Sequence, residues 1–225
     1  MKLPVILVNF KVYENAVGEA AVSLAKIHEK VASETGANIA IAVNAIDLAA
    51  VCKAVSIPVF AQHVDNLEYG SGTGSVVPDL VKKCGAYGAL LNHAEKPVSD
   101  DVLKESIRLA KEAGLFVVVC ADTPERAKEI LPYGPDLLAV EPPELIGGDI
   151  SVSKAEADII KRAVQYIGDD KVLVGAGVKD AEDVRLAVEF GASGVLLASG
   201  VTKSSDPEAV LRDLVSGLNW ECWKV

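Results

Sequence analysis

The sequence predicts an α/β chain folded as a single (β/α)8 barrel, one domain over residues 1–225. Three observations carry that prediction. Eight short apolar runs recur along the chain, the stretches between them have helical period, and no linker, low-complexity segment or composition break divides the series. A length of 225 residues, 50% of them hydrophobic, suits one such barrel and can fill its core without disulfides or metals. An open, doubly wound sheet is the alternative, disfavoured by fitting eight strands into so short a chain.

The predicted strands are Val5–Val8, Ile39–Val43, Val59–Ala61, Gly88–Leu91, Phe116–Val119, Leu137–Val140, Val172–Val174 and Gly194–Leu197. Each is short, mostly continuous rather than alternating, and rich in Val, Ile and Leu. Strands of a parallel sheet buried on both faces have this composition. The intervening helices are predicted at Glu19–Glu34, Ile46–Ala54, Asp79–Cys84, Ser99–Gly114, Pro124–Leu131, Lys154–Ile167, Ala181–Phe190 and Asp206–Leu214. In the fourth, Val102, Leu103, Ile107 and Ala110 share one face by their spacing. Ser99 is its expected N-cap, Asp100 and Asp101 suit the positive end of the dipole, and Gly114 suits the stop. The longest connection, Gln62–Pro78, contains Gly70-Ser71-Gly72-Thr73-Gly74 and is too glycine-rich for a helix.

Composition removes several classes of function. With 22 basic against 32 acidic side chains, the net charge of -10 argues against nucleic acid as a partner. No apolar run approaches the roughly 18–20 residues of a membrane span. Met1-Lys2-Leu3-Pro4 leads straight into a strand without a signal-peptide pattern. Cys52, Cys84, Cys120 and Cys222 are scattered, with no metal-ligand spacing. A reduced, cytoplasmic protein with no metal and no membrane partner is expected.

In this fold the active site forms at the carboxyl ends of the strands. Asn9 and Lys11 follow the first run, Gln62 and His63 the third, and Asn92, His93 and Glu95 the fourth. Cys120 and Asp122 follow the fifth and Glu141 the sixth, with Gly175-Ala176-Gly177 after the seventh and Ala198-Ser199-Gly200 after the eighth. One histidine, one carboxylate and one cation thus share a rim with two turns of small residues. Such turns let backbone N–H groups approach an anion, and the last two loops of the barrel are its usual phosphate site. By position alone His93 and Glu141 are each as well suited to structure as to catalysis. Pro142-Pro143 stiffens the chain beyond Glu141, and partial desolvation there would raise its pKa towards that of a useful base. His28, on the first helix, is expected to be structural, His63 to bond within its loop, and Cys120 to act as a small buried hydrophobe.

Val8-Asn9-Phe10-Lys11, Ala61-Gln62-His63, Leu91-Asn92-His93-Ala94-Glu95, Ala139–Gly147, Gly175-Ala176-Gly177 and Leu197-Ala198-Ser199-Gly200 together resemble the triosephosphate isomerase family. The short length and the wording Glu141-Pro142-Pro143-Glu144-Leu145-Ile146-Gly147 are similar to its archaeal branch. The resemblance implies interconversion of dihydroxyacetone phosphate and glyceraldehyde 3-phosphate through an enediolate, in glycolysis and gluconeogenesis, without a cofactor. It implies Glu141 as the base, and a neutral His93 as electrophile whose pKa is held low by backbone N–H groups at a helix start. The same resemblance gives Lys11 and Asn9 roles at the substrate and Glu95 the role of positioning the lysine. Phe10, Ile146, Gly147, Gly177, Ala198 and Ser199 match substrate-contacting places, and Pro142–Asp149 matches the closing lid. That enzyme's acid–base logic is one of the standard cases of pKa tuning.

Two departures stand out: Ala94 where the family commonly has serine, and Gly148-Asp149 where the lid usually ends in Thr-Gly. The tail Asn219–Val225, with its two tryptophans, has no family counterpart and is expected to pack on the barrel. A homo-oligomer is implied, a tetramer before a dimer, with Thr73 in Gly70–Gly74 reaching a neighbour. The rivals are a phosphate-binding barrel of different reaction, acting on thiamine or tryptophan precursors, and a non-catalytic binding barrel. The combination of Asn9, Lys11, His93 and Glu141 disfavours both.

Overall fold

A computed structural model describes residues 1–141, 154–175 and 177–218. Eight parallel strands close on themselves in chain order. They are β1 (Val5–Asn9), β2 (Ile39–Val43), β3 (Val59–Ala61), β4 (Gly88–Leu91), β5 (Phe116–Ala121), β6 (Leu137–Val140), β7 (Val172–Val174) and β8 (Gly194–Leu197). Closure is made by β1 against β8, with Val5 opposite Gly194 and Val8 opposite Leu197, which removes the open-sheet alternative. Gly194 is needed there: a Cβ at its φ of +137° would lie 2.0 Å from the Val5 carbonyl oxygen.

The continuous apolar runs are buried on both sides because the barrel has two cores. Val5, Leu7, Phe60, Leu90 and Leu196 belong to a cluster whose fully buried members come from strands alone, the barrel interior. Ile6, Val8, Ile39 and Ile41 face outward and belong to a second cluster that includes helical residues such as Leu24, Val31 and Leu103. Successive residues point to opposite sides, so every strand position must be apolar.

The helices are α1 (Glu19–Thr35), α2 (Leu48–Ala54), α3 (Pro78–Lys83), α4 (Asp100–Glu112), α5 (Pro124–Ile130), α6 (Lys154–Ile167), α7 (Ala181–Glu189), α8 (Ser199–Thr202) and α9 (Pro207–Ser216). Among the described residues, three of their starts carry a side-chain cap. Thr123 accepts a bond from the Arg126 N–H, Asp180 from the Glu182 and Asp183 N–H groups, and Asp206 from the Ala209 N–H. Ser99 does occupy the N-cap of α4 with extended backbone, but its hydroxyl makes no capping bond. On α4, Leu103, Ile107 and Ala110 are buried as expected, whereas Val102 is only partly covered. α2 begins two residues later than predicted because the Asn44 side chain accepts from the Ile46 and Asp47 N–H groups. That local turn competes with helix and leaves Ile46 exposed. No helix among the described residues is long and apolar enough to cross a membrane.

Candidate active site

Asn9, the last residue of β1, is buried, and its Oδ1 accepts the Lys11 backbone N–H at 3.0 Å. This local bond turns the chain sharply, placing Lys11 at a φ of +51°, a conformation side chains seldom adopt. The turn sends the lysine ammonium to Glu95, Nζ to Oε1 at 2.6 Å. The Phe10 side chain is fully buried and its ring lies against His28, centroids 5.1 Å apart. The substrate contact expected of it therefore has no side-chain basis, since the apolar ring is better covered by the core than by a polar ligand.

His93 follows β4 and accepts the Glu95 backbone N–H on Nδ1 at 3.0 Å. A nitrogen that accepts carries no proton, so the neutral ring has its hydrogen on Nε2. Burial, followed by the charge of Lys11, lowers its pKa below the usual 6.5, with Glu95 opposing. The expected backbone N–H is present, but it comes from a turn closed by the Lys96 N–H on the His93 carbonyl, not from a helix start. The next residue, Ala94, is exposed in that turn.

Glu141 leaves β6 with its N–H bonded to the Ala121 carbonyl and its side chain inside the barrel mouth, 4% exposed. Its Oε1 lies 3.7 Å from His93 Nε2, beyond direct hydrogen-bond reach. Its Oε2 is buried with no hydrogen-bond partner among the described residues. Burial raises the carboxyl pKa from 4.5 to about 7; the Cys120 thiol and the Lys11 charge pull it down, and Glu95 pushes it up. Cys120 is thus buried as expected and is also a neighbour of the carboxylate. Nothing in sequence distinguishes that cysteine from an ordinary core residue.

Gly175, expected only as part of a phosphate turn, also makes room for Glu141. A Cβ at this position would lie 2.3 Å from Glu141 Cγ, so glycine makes the space that the carboxylate occupies. Gly177 is the residue of that segment in the left-handed region, at a φ of +74°. Ala198 is the N-cap of α8 and Ser199 its first residue. The Asn15 amide donates to the Thr202 carbonyl, and Lys203 Nζ sits 4.6 Å from the Tyr13 ring centre, tying the loop after β1 to α8. Ile146, Gly147, Ala176, the lid Pro142–Asp149 and the tail Asn219–Val225 lie outside the described residues.

The remaining histidines behave as expected. His28 is fully buried, donates from Nδ1 to the Leu24 carbonyl (2.8 Å), and has a pKa lowered to about 4 by burial. His63 pairs with Asp65 within its own loop at 3.1 Å.

The model of the family described as triosephosphate isomerase matches residues 4–216. A triosephosphate isomerase of Metallosphaera sedula is 44% identical over 220 residues, 96% of each chain. That of Methanocaldococcus jannaschii is 42% identical over 214 residues, 93% of this chain and 98% of its own. The crystal structure of triosephosphate isomerase from Bartonella henselae shares the fold at a TM-score of 0.73 and 18% identity, over 96% of this chain and 98% of that one. Neither rival barrel finds support in these likenesses. With a family model covering nearly the whole barrel and relatives above 40% identity along almost their full length, the chain belongs to the triosephosphate isomerase family.

Proposed function

We propose that the chain interconverts dihydroxyacetone phosphate and D-glyceraldehyde 3-phosphate through an enediolate, with Glu141 as base and His93 as electrophile. Family membership assigns the reaction, and the observation that supports the roles is the facing pair of Glu141 and His93, 3.7 Å apart. Too far apart to satisfy each other, both keep their hydrogen-bonding capacity for a ligand.

Glu141 removes the proton next to the carbonyl and returns it to the former carbonyl carbon, while the hydroxyl proton passes to the former carbonyl oxygen on the side facing His93. A carboxylate titrating near 7 is basic enough to take that proton and still ionised in useful amount at neutral pH. Negative charge then grows on the carbonyl oxygen, where the Nε2–H of His93 donates to it. Because Nδ1 is occupied by the Glu95 N–H, the imidazole is fixed in the tautomer that this donation needs. Lys11 places a positive charge beside the developing enediolate and the phosphate, with Glu95 restraining the ammonium. The Asn9 amide adds a donor. Ile146 and Gly147 from the lid, with Gly177, Ala198 and Ser199, complete the substrate contacts, the last three through backbone groups around the phosphate.

A homo-oligomer, with a tetramer favoured, belongs to the same proposal. Val12 and Ile46 are 76% and 93% exposed in the loops after β1 and β2, apolar side chains that a second copy would cover. Thr73 is likewise exposed, in the loop after β3. Cytoplasmic location and a place in glycolysis and gluconeogenesis follow from the substrate. The test is isomerisation in heavy water: the product should carry solvent deuterium on the carbon next to its carbonyl. Turnover that survives Glu141→Ala, with or without solvent exchange, would exclude Glu141 as the carrier of the proton, and no turnover in wild type would exclude the reaction.

A further inference from the structure

We propose that Gln62 is a positioning residue for the active-site rim, setting both the orientation of the Asn9 amide and the turn that presents Lys11. The inference rests on the functional reading above and concerns a side chain that reading leaves without a role. Gln62 is the first residue beyond β3, held in line by its own N–H on the Val43 carbonyl at 3.1 Å. From there its side chain reaches across β2 to the end of β1. The amide nitrogen Nε2 lies 3.1 Å from Asn9 Oδ1, 3.0 Å from the Lys11 carbonyl and 3.3 Å from the Ala42 carbonyl. All three are acceptors, so the nitrogen end must face them and the Gln62 amide has one possible orientation.

Two consequences follow for the rim. Asn9 Oδ1 receives donors from both Gln62 and the Lys11 N–H, so the oxygen is fixed on that side. The Asn9 Nδ2 group, which makes no bond to any described residue, is thereby left as the end that can donate to a ligand. At Lys11, the φ of +51° is one a lysine does not choose unaided. Its N–H is held by Asn9 and its carbonyl by Gln62, so the turn is clamped on both sides of the residue. The ammonium that meets Glu95 at 2.6 Å starts from this clamped backbone. Removing Gln62 takes the donor from the Lys11 carbonyl and leaves Asn9 Oδ1 with the Lys11 N–H and the Ala42 carbonyl with the Phe10 N–H, which frees the Asn9 amide to rotate and the Lys11 turn to relax.

The experiment is a kinetic double-mutant cycle with Gln62→Leu, Asn9→Ala and the pair, beside wild type and Glu141→Ala. Gln62→Leu should lower kcat by about 10- to 100-fold, the loss expected of a displacement near 1 Å. Its circular dichroism and thermal midpoint should stay close to those of wild type. In the Asn9→Ala background the same substitution should cost much less, because the group it orients is gone. Gln62→Glu, which keeps the shape but turns an acceptor on three acceptors, should be no better than leucine. Unchanged kcat in a folded Gln62→Leu protein, or losses that multiply fully in the pair, would overturn the role of Gln62 while leaving the isomerase reading intact. Wild type without turnover would overturn both. If leucine prevents folding, the glutamate variant reads the same comparison, with wild-type kcat the overturning result.

Discussion

Gly175→Ala is the substitution whose effect follows most directly from the geometry of the site. It adds one methyl group at the mouth of the barrel, 2.3 Å from Glu141 Cγ and 3.1 Å from Cδ. Non-bonded carbons rest about 3.5 Å apart or more, so the carboxylate must retreat by about 1.2 Å. Cγ lies in the middle of the side chain and cannot swing aside without carrying the carboxyl group with it. A displacement of that size at a reacting group costs on the order of 100-fold in rate. The strand and its pairing are untouched, since Gly175 follows β7 and bonds through its N–H to the Val140 carbonyl. The assay is conversion of glyceraldehyde 3-phosphate coupled to reduction of the dihydroxyacetone phosphate formed, with thermal unfolding as the control for folding. A loss of about 100-fold with an intact fold is expected. Turnover within twofold of wild type would mean that Glu141 need not stand where it does, and the reasoning from its position would fail.

Other outcomes can be checked in the same preparations. With Glu141 titrating near 7, kcat/KM should fall about tenfold per unit as pH drops below 7 and level off above it, and a plateau extending to pH 5 would contradict a base of raised pKa. The same shift has a cost in stability: a carboxyl whose folded pKa is above its unfolded 4.5 favours folding when protonated, and loses that contribution as pH rises from 4.5 through about 7. Glu141→Gln should therefore be more stable than wild type by up to about 3 kcal/mol at pH 8 and nearly equal at pH 4, measured by denaturant unfolding. Lys11→Ala should raise KM and lower kcat together, because one ammonium serves both phosphate and enediolate; unchanged kinetics would place Lys11 outside the site.

The barrel was legible in sequence because its strands are buried on both faces, which forces continuous apolar runs that no half-exposed strand would carry. β2, β3, β4, β6, β7 and β8 occupy the predicted residues, and β1 and β5 run on by one and two. The extra residue of β1 is Asn9, a polar side chain that ends a hydrophobic pattern while its backbone still pairs with Ala42. His93, Lys11 and Glu141 were legible by their place after strands, and Glu95 by resemblance. What stayed hidden depends on distances between strands. Gly175 reads as a turn glycine until Glu141 is found in the space of its missing side chain. Cys120 reads as core until its thiol is placed beside that carboxylate. Gln62 stands one residue past a strand, and only the order β1-β2-β3 in space shows that it reaches β1. Phe10 stands between two rim residues, yet its side chain points to the core because alternation turns it there.

The central claim is that Glu141 is the base of a triose phosphate isomerisation, and one comparison tests it most directly. Wild type and Glu141→Ala are assayed side by side with glyceraldehyde 3-phosphate, each shown to be folded. Fast turnover that the substitution lowers by several orders of magnitude is the predicted result. Near-wild-type turnover in the folded Glu141→Ala protein would contradict it.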